Sequence, residues 1–321
     1  MIYLFLLFLS FALTWFIKNH AIKKNLLAEV NERSSHSVPT PHGGGVAIAV
    51  TWFFGLTLFF VQRAIDPALY YALMVGVIIS VVSYLDDLYE LSPRVRLITQ
   101  ALVAVLALYF LGGLKELDLL FFTIENPFIT DLFAFLMIVW FINLYNFLDG
   151  IDGYAGSEAV FLGLAGFILF GGEHFLVLIA SVMGFLVWNW HKAKIFMGDV
   201  GSTLLGYTVS VFTIYYANQE PTNFWTWIVL FGIFWFDATL TLLRRHRNKE
   251  KLSHAHKKHA YQRLNQSGWT HDKVVLASIG VNLILFGLVY FISDKMIAFL
   301  MSVLLLYIVT KIVDLKKGFR I

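Results

Sequence analysis

The sequence predicts an all-α, polytopic integral membrane protein of about ten or eleven transmembrane helices. Three observations lead there. First, of 321 residues 59% are hydrophobic and 14% charged, with a mean hydropathy of +0.73, whereas soluble domains run about 45–50% apolar and about 25% charged. Second, the apolar residues gather in runs of roughly 16–22, the length that crosses a bilayer. Third, lysine and arginine are biased strongly toward alternate loops. The chain has no cysteine, which excludes a disulfide framework and a thiolate metal site. A net charge of +3 says little by itself. The lipid bilayer is the partner this composition requires, and nucleic acid is not expected.

The first run, at about 2–17, is apolar from its second residue and lacks a basic leader region and a small-residue cleavage site. It reads as a retained span rather than a secretory signal. Further runs lie at about 45–61, 69–85, 95–112, 132–148, 156–172, 175–191, 203–217, 224–243, 274–292 and 296–313. Odd-numbered loops carry Lys18, Lys23, Lys24 and Arg33, then Arg94 and Arg96, then Lys192 and Lys194, then a basic stretch from Arg244 to Arg263. The tail adds Lys316, Lys317 and Arg320, while even-numbered loops hold only Arg63, Lys115 and Lys295. The bias places odd loops and the C-terminus in the cytoplasm and the N-terminus outside, as an odd span count requires. No repeat or separating linker is found, so 1–321 reads as a single domain. Its longest polar segment is the basic, histidine-rich ninth loop, 244–272.

The stretch 143–156 organises the polar residues. It carries Asn143, Asn146, Asp149 and Asp152 at steps of three, with Gly150 and Gly153 beside the acids. Carboxylates at the mouth of a membrane span are costly unless partnered, and glycines let backbone approach a ligand closely. The stretch reads as the wall of a metal–phosphate site. The asparagines can equally hydrogen-bond between helices.

Four further motifs fall on the same side of the membrane. Asp86 and Asp87 end the third span, where the helix dipole disfavours acids. They read either as a divalent-cation site or as solvated loop acids paired with arginine. Gly198-Asp199-Val-Gly-Ser202 opens the eighth span, as a helix cap or as a magnesium ligand near phosphates. Arg33-x-x-His36-x-x-Pro39-Thr-Pro-His42-Gly43-Gly44-Gly45 is a span entry or a backbone phosphate cradle. The ninth loop carries His254, His256, His259 and Arg263. Their basic neighbours Lys257 and Lys258 argue for an anionic partner rather than zinc. Asp237, inside the ninth span, reads as buried and partnered. One common side for so many acids and histidines favours a joint functional reading. The rival class is a secondary transporter, whose acids would sit at the bilayer midplane between repeats.

The motifs Asp86-Asp87, Asn143-x-x-Asn146-x-x-Asp149-Gly-x-Asp152-Gly, Phe196-Met-Gly-Asp199-x-Gly-Ser202 and the His-x-His of the ninth loop resemble, in order, those of the polyprenyl-phosphate N-acetylhexosamine-1-phosphate transferases. Leu91-Ser-Pro-Arg94 and the Arg33 segment are similar to further family elements. The ninth loop and Trp188-Asn-Trp-His-Lys look more like the O-antigen branch than the peptidoglycan branch.

The resemblance implies about ten or eleven helices in the bacterial inner membrane with a cytoplasmic site. It implies transfer from a UDP-N-acetylhexosamine to undecaprenyl phosphate, giving undecaprenyl-diphosphate-sugar and UMP, with Mg2+ or Mn2+. The sugar would be GlcNAc or a 6-deoxy sugar, QuiNAc or FucNAc. Asp199 and one of Asp86 and Asp87 would hold the metal, the other supporting it or deprotonating the acceptor. Asp149 and Asp152 would line the nucleotide and metal pocket, with Asn146 orienting them and Asn143 beside it. His254, His256, His259 and Arg263 would neutralise the donor diphosphate, and Arg33 and Arg94 would meet uridine or phosphate. A covalent aspartyl-phosphate route and a homodimer stay open.

Overall fold

The computed structural model describes residues 1–24, 27–28, 39–119, 121–252, 254 and 256–319. Among them are α1 (Ile2–Lys23), β1 (Leu27–Ala28), β2 (Thr40–Pro41), α2 (Gly45–Val61), α3 (Pro67–Met74), α4 (Gly76–Tyr89), α5 (Pro93–Leu111), β3 (Leu117–Asp118) and β4 (Thr123–Ile124). The chain continues through α6 (Pro127–Leu148), α7 (Tyr154–Phe170), α8 (Glu173–Asn189), α9 (Asp199–Ala217), α10 (Asn223–Leu230), α11 (Gly232–Arg247), α12 (Ala260–Gln266), α13 (His271–Phe291) and α14 (Lys295–Lys316). The four short strands form two antiparallel pairs, β1–β2 and β3–β4.

Six segments are long and apolar enough to span a membrane, with α3 and α4 counted as one, and seven if the bent α10–α11 pair is also one. α2, α7 and α8 are shorter apolar helices. Every expected run coincides with a helix or a helix pair. The chain is thus an all-α, multi-pass membrane protein.

Helix starts follow local chemistry. Asp66 accepts from the N–H groups of Ala68 and Leu69, at 2.9 and 3.2 Å, just before Pro67. Asn126 caps α6 in the same way before Pro127. Proline at the first helical position loses no hydrogen bond, and the preceding cap satisfies free donors. Asp131 accepts from Leu114 N at 2.8 Å. Acids at this end of the bundle therefore serve as caps and loop clasps.

The ninth run, expected to be continuous over 224–243, is instead broken between α10 and α11 by 73°. Trp235 explains how the break is tolerated: its indole N–H donates to the Ile228 carbonyl at 2.7 Å, an oxygen that a continuous helix would pair with residue 232. α11 then carries Asp237, Arg244 and Arg245 across the polar end.

At the centre stands α9, whose residues from Val200 to Ile214 are all buried. Lipid supplies no hydrophobic drive for helix pairing, so small residues and close packing must do so. A Cβ on Gly206 would lie 2.9 Å from the Ile142 Cα of α6. At the polar end, a Cβ on Gly45 would strike the Gly201 nitrogen and lie 2.6 Å from its Cα. Backbone meets backbone there, so neither helix can yield cheaply.

Gly45→Ala is expected to cost about 1–3 kcal/mol by overpacking and to lower the melting temperature of the detergent-solubilised protein. Gly280→Ala, where nothing lies within 4 Å, is not expected to lower it. Equal losses in both variants would refute a tight α2–α9 contact.

Candidate functional site

The polar end of the bundle is built from the ends of α4, α6, α8 and the beginnings of α2, α7, α9 and α13. α6 ends at Asp149, and the chain turns through Gly150–Gly153 into α7. Gly153 adopts φ +74°, a left-handed conformation that glycine accepts without strain. Its N–H donates to Asn189 Oδ1 at 2.9 Å, and Asn189 Nδ2 donates to the Ile195 carbonyl at 2.9 Å. The buried Asn189 thus ties the α6–α7 turn to the segment leading into α9. Gly150 serves another purpose: any Cβ there would strike the Tyr261 hydroxyl, which donates to the Phe147 carbonyl at 3.1 Å.

Asp199, the first residue of α9, accepts from Asn146 Nδ2 at 2.9 Å, and the same nitrogen lies 2.9 Å from Ser202 Oγ. Asn146 therefore orients Asp199, where the sequence had it orienting Asp149 and Asp152. Asp87 stands beside this centre: a Cβ on Gly198 would be 3.0 Å from Asp87 Oδ2 and 3.4 Å from Gly43 N. Asp87 Oδ2 is buried and has no hydrogen-bond partner among the described residues. Asp149 is within electrostatic reach of Asp199, Asp152 and Asp87. Burial first, and those three charges next, push its carboxyl up to about 7.

Asp86 does not join them. Its Oδ1 accepts from Leu91 N at 2.7 Å and its Oδ2 pairs with Arg96 Nε at 2.8 Å. Of the two acids expected to offer one metal ligand beside Asp199, Asp87 is the one next to it, while Asp86, one helical step and about 100° away, has both oxygens engaged. The remaining donors are all carboxylate oxygens. They include an orphaned one, so they suit a hard divalent cation such as Mg2+.

Asp152 is held differently. Its Oδ2 lies 3.1 Å from the Nδ1 atoms of both His191 and His271 and accepts from Ala193 N at 3.1 Å. Burial alone would raise this carboxyl, but hydrogen bonds from His271, Ala193 and His191 hold it below the ordinary carboxylate value. The three side chains have the spacing of a metal site. Hydrogen-bond donors already point at the would-be ligand oxygen, however: the Ala193 N–H and the Nδ1–H groups of His191 and His271. Aimed donors repel a cation, so the cluster is a hydrogen-bonded knot that fixes Asp152. His191 and His271 escaped the sequence reading. The only signal was one histidine beside Trp190 and another at the start of a span.

Two cavities flank α4. One, of about 520 Å³, is a mostly apolar groove between α1, α2 and α4 that ends at His42, Gly43 and Asp87. The other, of about 440 Å³, is polar and is lined by Asp86, Arg96, Gln100, Asn143, Asn146 and Asp199 among others. Asn143 faces it while donating to Gln100 Oε1 at 2.7 Å, an interhelical bond of the kind its position allowed. Arg94 is exposed, and Arg96 takes the position at the cavity.

The ninth loop is organised by Arg245, which is 2% exposed. Its guanidinium donates to the carbonyls of Lys251, Leu252 and His254 and pairs with Glu250 at 3.1 Å. Asp237 accepts from Ala260 N through both oxygens at 2.9 Å, and so anchors α12. The expected neutralising role of the loop needs correction. Arg263 is buried, bonded to Asp314 at 2.6 Å and to the Lys317 carbonyl at 2.9 Å, so it clamps the loop to α14 alongside Arg244. His256 is pushed down to about 4 by burial and by the nearby His259 and Arg245, leaving its imidazole uncharged at neutral pH. His259 is buried, with its ring 6.5 Å from Phe147. His254 is exposed.

Arg33 and His36 lie outside the described residues. The glycine run that follows is not an open phosphate cradle: Gly44 N and Gly45 N donate to the carbonyls of Phe196 and Met197, at 2.9 and 2.8 Å. Burial lowers the His42 imidazole, against the pull of Asp199.

Carboxylates are thus clustered between an apolar groove and a polar cavity at one end of a membrane-spanning bundle. The glycosyl transferase family 4 model matches residues 69–217. A probable undecaprenyl-phosphate N-acetylglucosaminyl 1-phosphate transferase of Bacillus subtilis (strain 168) is 34% identical over 301 residues, covering 88% of this chain and 80% of the relative. Undecaprenyl-phosphate alpha-N-acetylglucosaminyl 1-phosphate transferases of Yersinia pestis and Escherichia coli (strain K12) are each 29% identical, covering 88% and 83% of this chain and 82% and 79% of those proteins. The chain belongs to this family of polyprenyl-phosphate N-acetylhexosamine-1-phosphate transferases.

The state of Asp149 can be read from stability. A carboxyl with a folded value of about 7 against an ordinary 3.8 binds its proton more tightly in the fold, so stability falls as pH rises from 4 through 7. Without divalent cation, Asp149→Asn should melt a few degrees above wild type at pH 8 and level with it at pH 5. The same difference at both pH values would refute a raised Asp149 carboxyl.

Proposed function

We propose that the protein transfers an N-acetylhexosamine 1-phosphate from a UDP-sugar to undecaprenyl phosphate, releasing UMP. The observation that carries this reading is the groove of about 520 Å³ that ends on Asp87. It offers apolar walls for a polyprenyl chain and, at one end, an acidic centre beside Asp199. The relatives' names give the same acceptor. A transporter would place its acids at mid-membrane; here they gather at one end of the bundle.

An oxygen of the lipid phosphate attacks the sugar-bearing phosphorus, and the bond to the UMP oxygen breaks with its electron pair leaving on UMP. Such transfers depend on positioning and charge neutralisation more than on covalent chemistry. Asp87 and Asp199 would hold Mg2+ or Mn2+, with Asp149 beside them. When bound, the ion neutralises diphosphate charge and strengthens the leaving group. Asn146 keeps the Asp199 carboxylate aimed. Asp152, held ionised by its histidines, fixes the turn along which the sugar nucleotide lies. Arg96 replaces Arg94 as the cation facing the polar cavity. In the ninth loop His256 offers an uncharged imidazole, and Arg263 is engaged by Asp314 rather than facing the site.

The charge bias of the loops supports a cytoplasmic position for this centre, in the bacterial inner membrane, where the donor nucleotide would be available. The product would begin a cell-envelope glycan such as O-antigen. Either GlcNAc or a 6-deoxy sugar, QuiNAc or FucNAc, suits the reading, and a panel of the three UDP-sugars with undecaprenyl phosphate identifies the substrate.

Asp199→Asn is expected to abolish UMP release, by at least about a hundredfold as for loss of a key transition-state electrostatic contact, while the protein still inserts and melts normally. Near-normal turnover would exclude Asp199 as a ligand. A polyprenol lacking the phosphate should not be a substrate.

A further inference from the structure

The acceptor proposed above carries an anionic phosphate that must come to rest next to Asp87 and Asp199, two groups that repel it. A bound cation offsets the charge, but a phosphate monoester presents several oxygens and needs N–H or O–H donors as well. The question is which groups at the head of the apolar groove can donate.

Most are excluded. The N–H groups of Gly44 and Gly45 already serve the carbonyls of Phe196 and Met197. Ser80 donates its hydroxyl to the Gly76 carbonyl at 2.8 Å. Tyr84 is 46% exposed on the flank of α4, and His20 is exposed at the rim on the last turn of α1. Asp87 can only accept while ionised. His42 remains. It lines the groove, is half-buried and is within electrostatic reach of Asp199. It also precedes Gly43, whose nitrogen comes close to Gly198 beside Asp87.

We propose that His42 is an acceptor-binding residue whose imidazole N–H holds a phosphate oxygen of the polyprenyl monophosphate at the head of the groove, beside Asp87 and Asp199. This rests on the transferase reading given above. The histidine takes part in no bond-making step. It secures the nucleophile's phosphate in line with the donor and makes the groove select a phosphate-bearing lipid.

The test uses the full-length protein in detergent, with undecaprenyl phosphate and the best UDP-sugar of the panel varied separately. His42→Ala should raise KM for undecaprenyl phosphate tenfold or more, as expected for one lost hydrogen bond to a charged group, and leave KM for the UDP-sugar within twofold. His42→Gln, which keeps an N–H donor, should recover most of the loss, and His42→Leu, which fills the space without a donor, should not. Stabilisation of the melting temperature by undecaprenyl phosphate should weaken in the Ala and Leu variants and persist in Gln, a readout that needs no turnover. An unchanged acceptor KM in folded His42→Ala, an equal rise for both substrates, or a Leu variant as good as Gln would overturn the assignment. Absence of UMP release by the wild-type protein with every sugar would instead overturn the transferase reading.

Discussion

Like charges held close together away from bulk water are the constraint on which this structure depends. Two unit charges 4 Å apart near a protein surface repel by ~4 kcal/mol, while a hydrogen bond returns a net of about 1 kcal/mol. Hydrogen bonds alone cannot hold several ionised carboxylates around one point. The protein treats each acid differently. Asp152 is ionised and bonded by imidazole and backbone donors. Asp149 is pushed toward its protonated form by burial and by its acidic neighbours. Asp199 is steadied by Asn146, and Asp87 keeps a buried oxygen, Oδ2, with no hydrogen-bond partner in contact among the described residues, though the Asp199 backbone N–H lies near its carboxyl. Such an arrangement suits the divalent cation proposed above.

The scaffold brings these acids together by close backbone approach. Gly45 against Gly201 brings the start of α2 to the start of α9, and Gly206 against α6 sets α9 against the Asn146 helix. The polar end is thereby rigid where Asp87, Asp199 and His42 meet. The groove and the polar cavity open on opposite sides of α4, so the two adjacent aspartates face different compartments. A lipid reactant and a sugar nucleotide can reach the same centre without sharing a route.

Much of this was legible in the sequence, and the reasons are physical. A membrane span must satisfy its own backbone hydrogen bonds, so apolar run length located every apolar helix or helix pair, down to α2 at 45–61, but not the short polar α12 within the ninth loop. The Asp-Gly-x-Asp-Gly pattern announced a tight polar turn. What the sequence hid depended on direction or on distant partners. Spacing did not reveal that Ile228 would find Trp235 and permit a break in the ninth run. Adjacent Asp86 and Asp87 look alike on paper but diverge on a helix. Arg263 looked available until Asp314, fifty-one positions on, claimed it. His191 and His271 meet only after folding, across Asp152.

The shared hold of Arg244 and Arg263 on Asp314 makes one carboxylate the fastening point of two segments. Neutralising it would strip the counter-charge from the buried Arg263 and the partly buried Arg244 at once, and an unpaired buried charge is costly. The end of α11, α12 and α14 are thus tied through a single acid, and the seat of the ninth loop above the α6 end hangs on it.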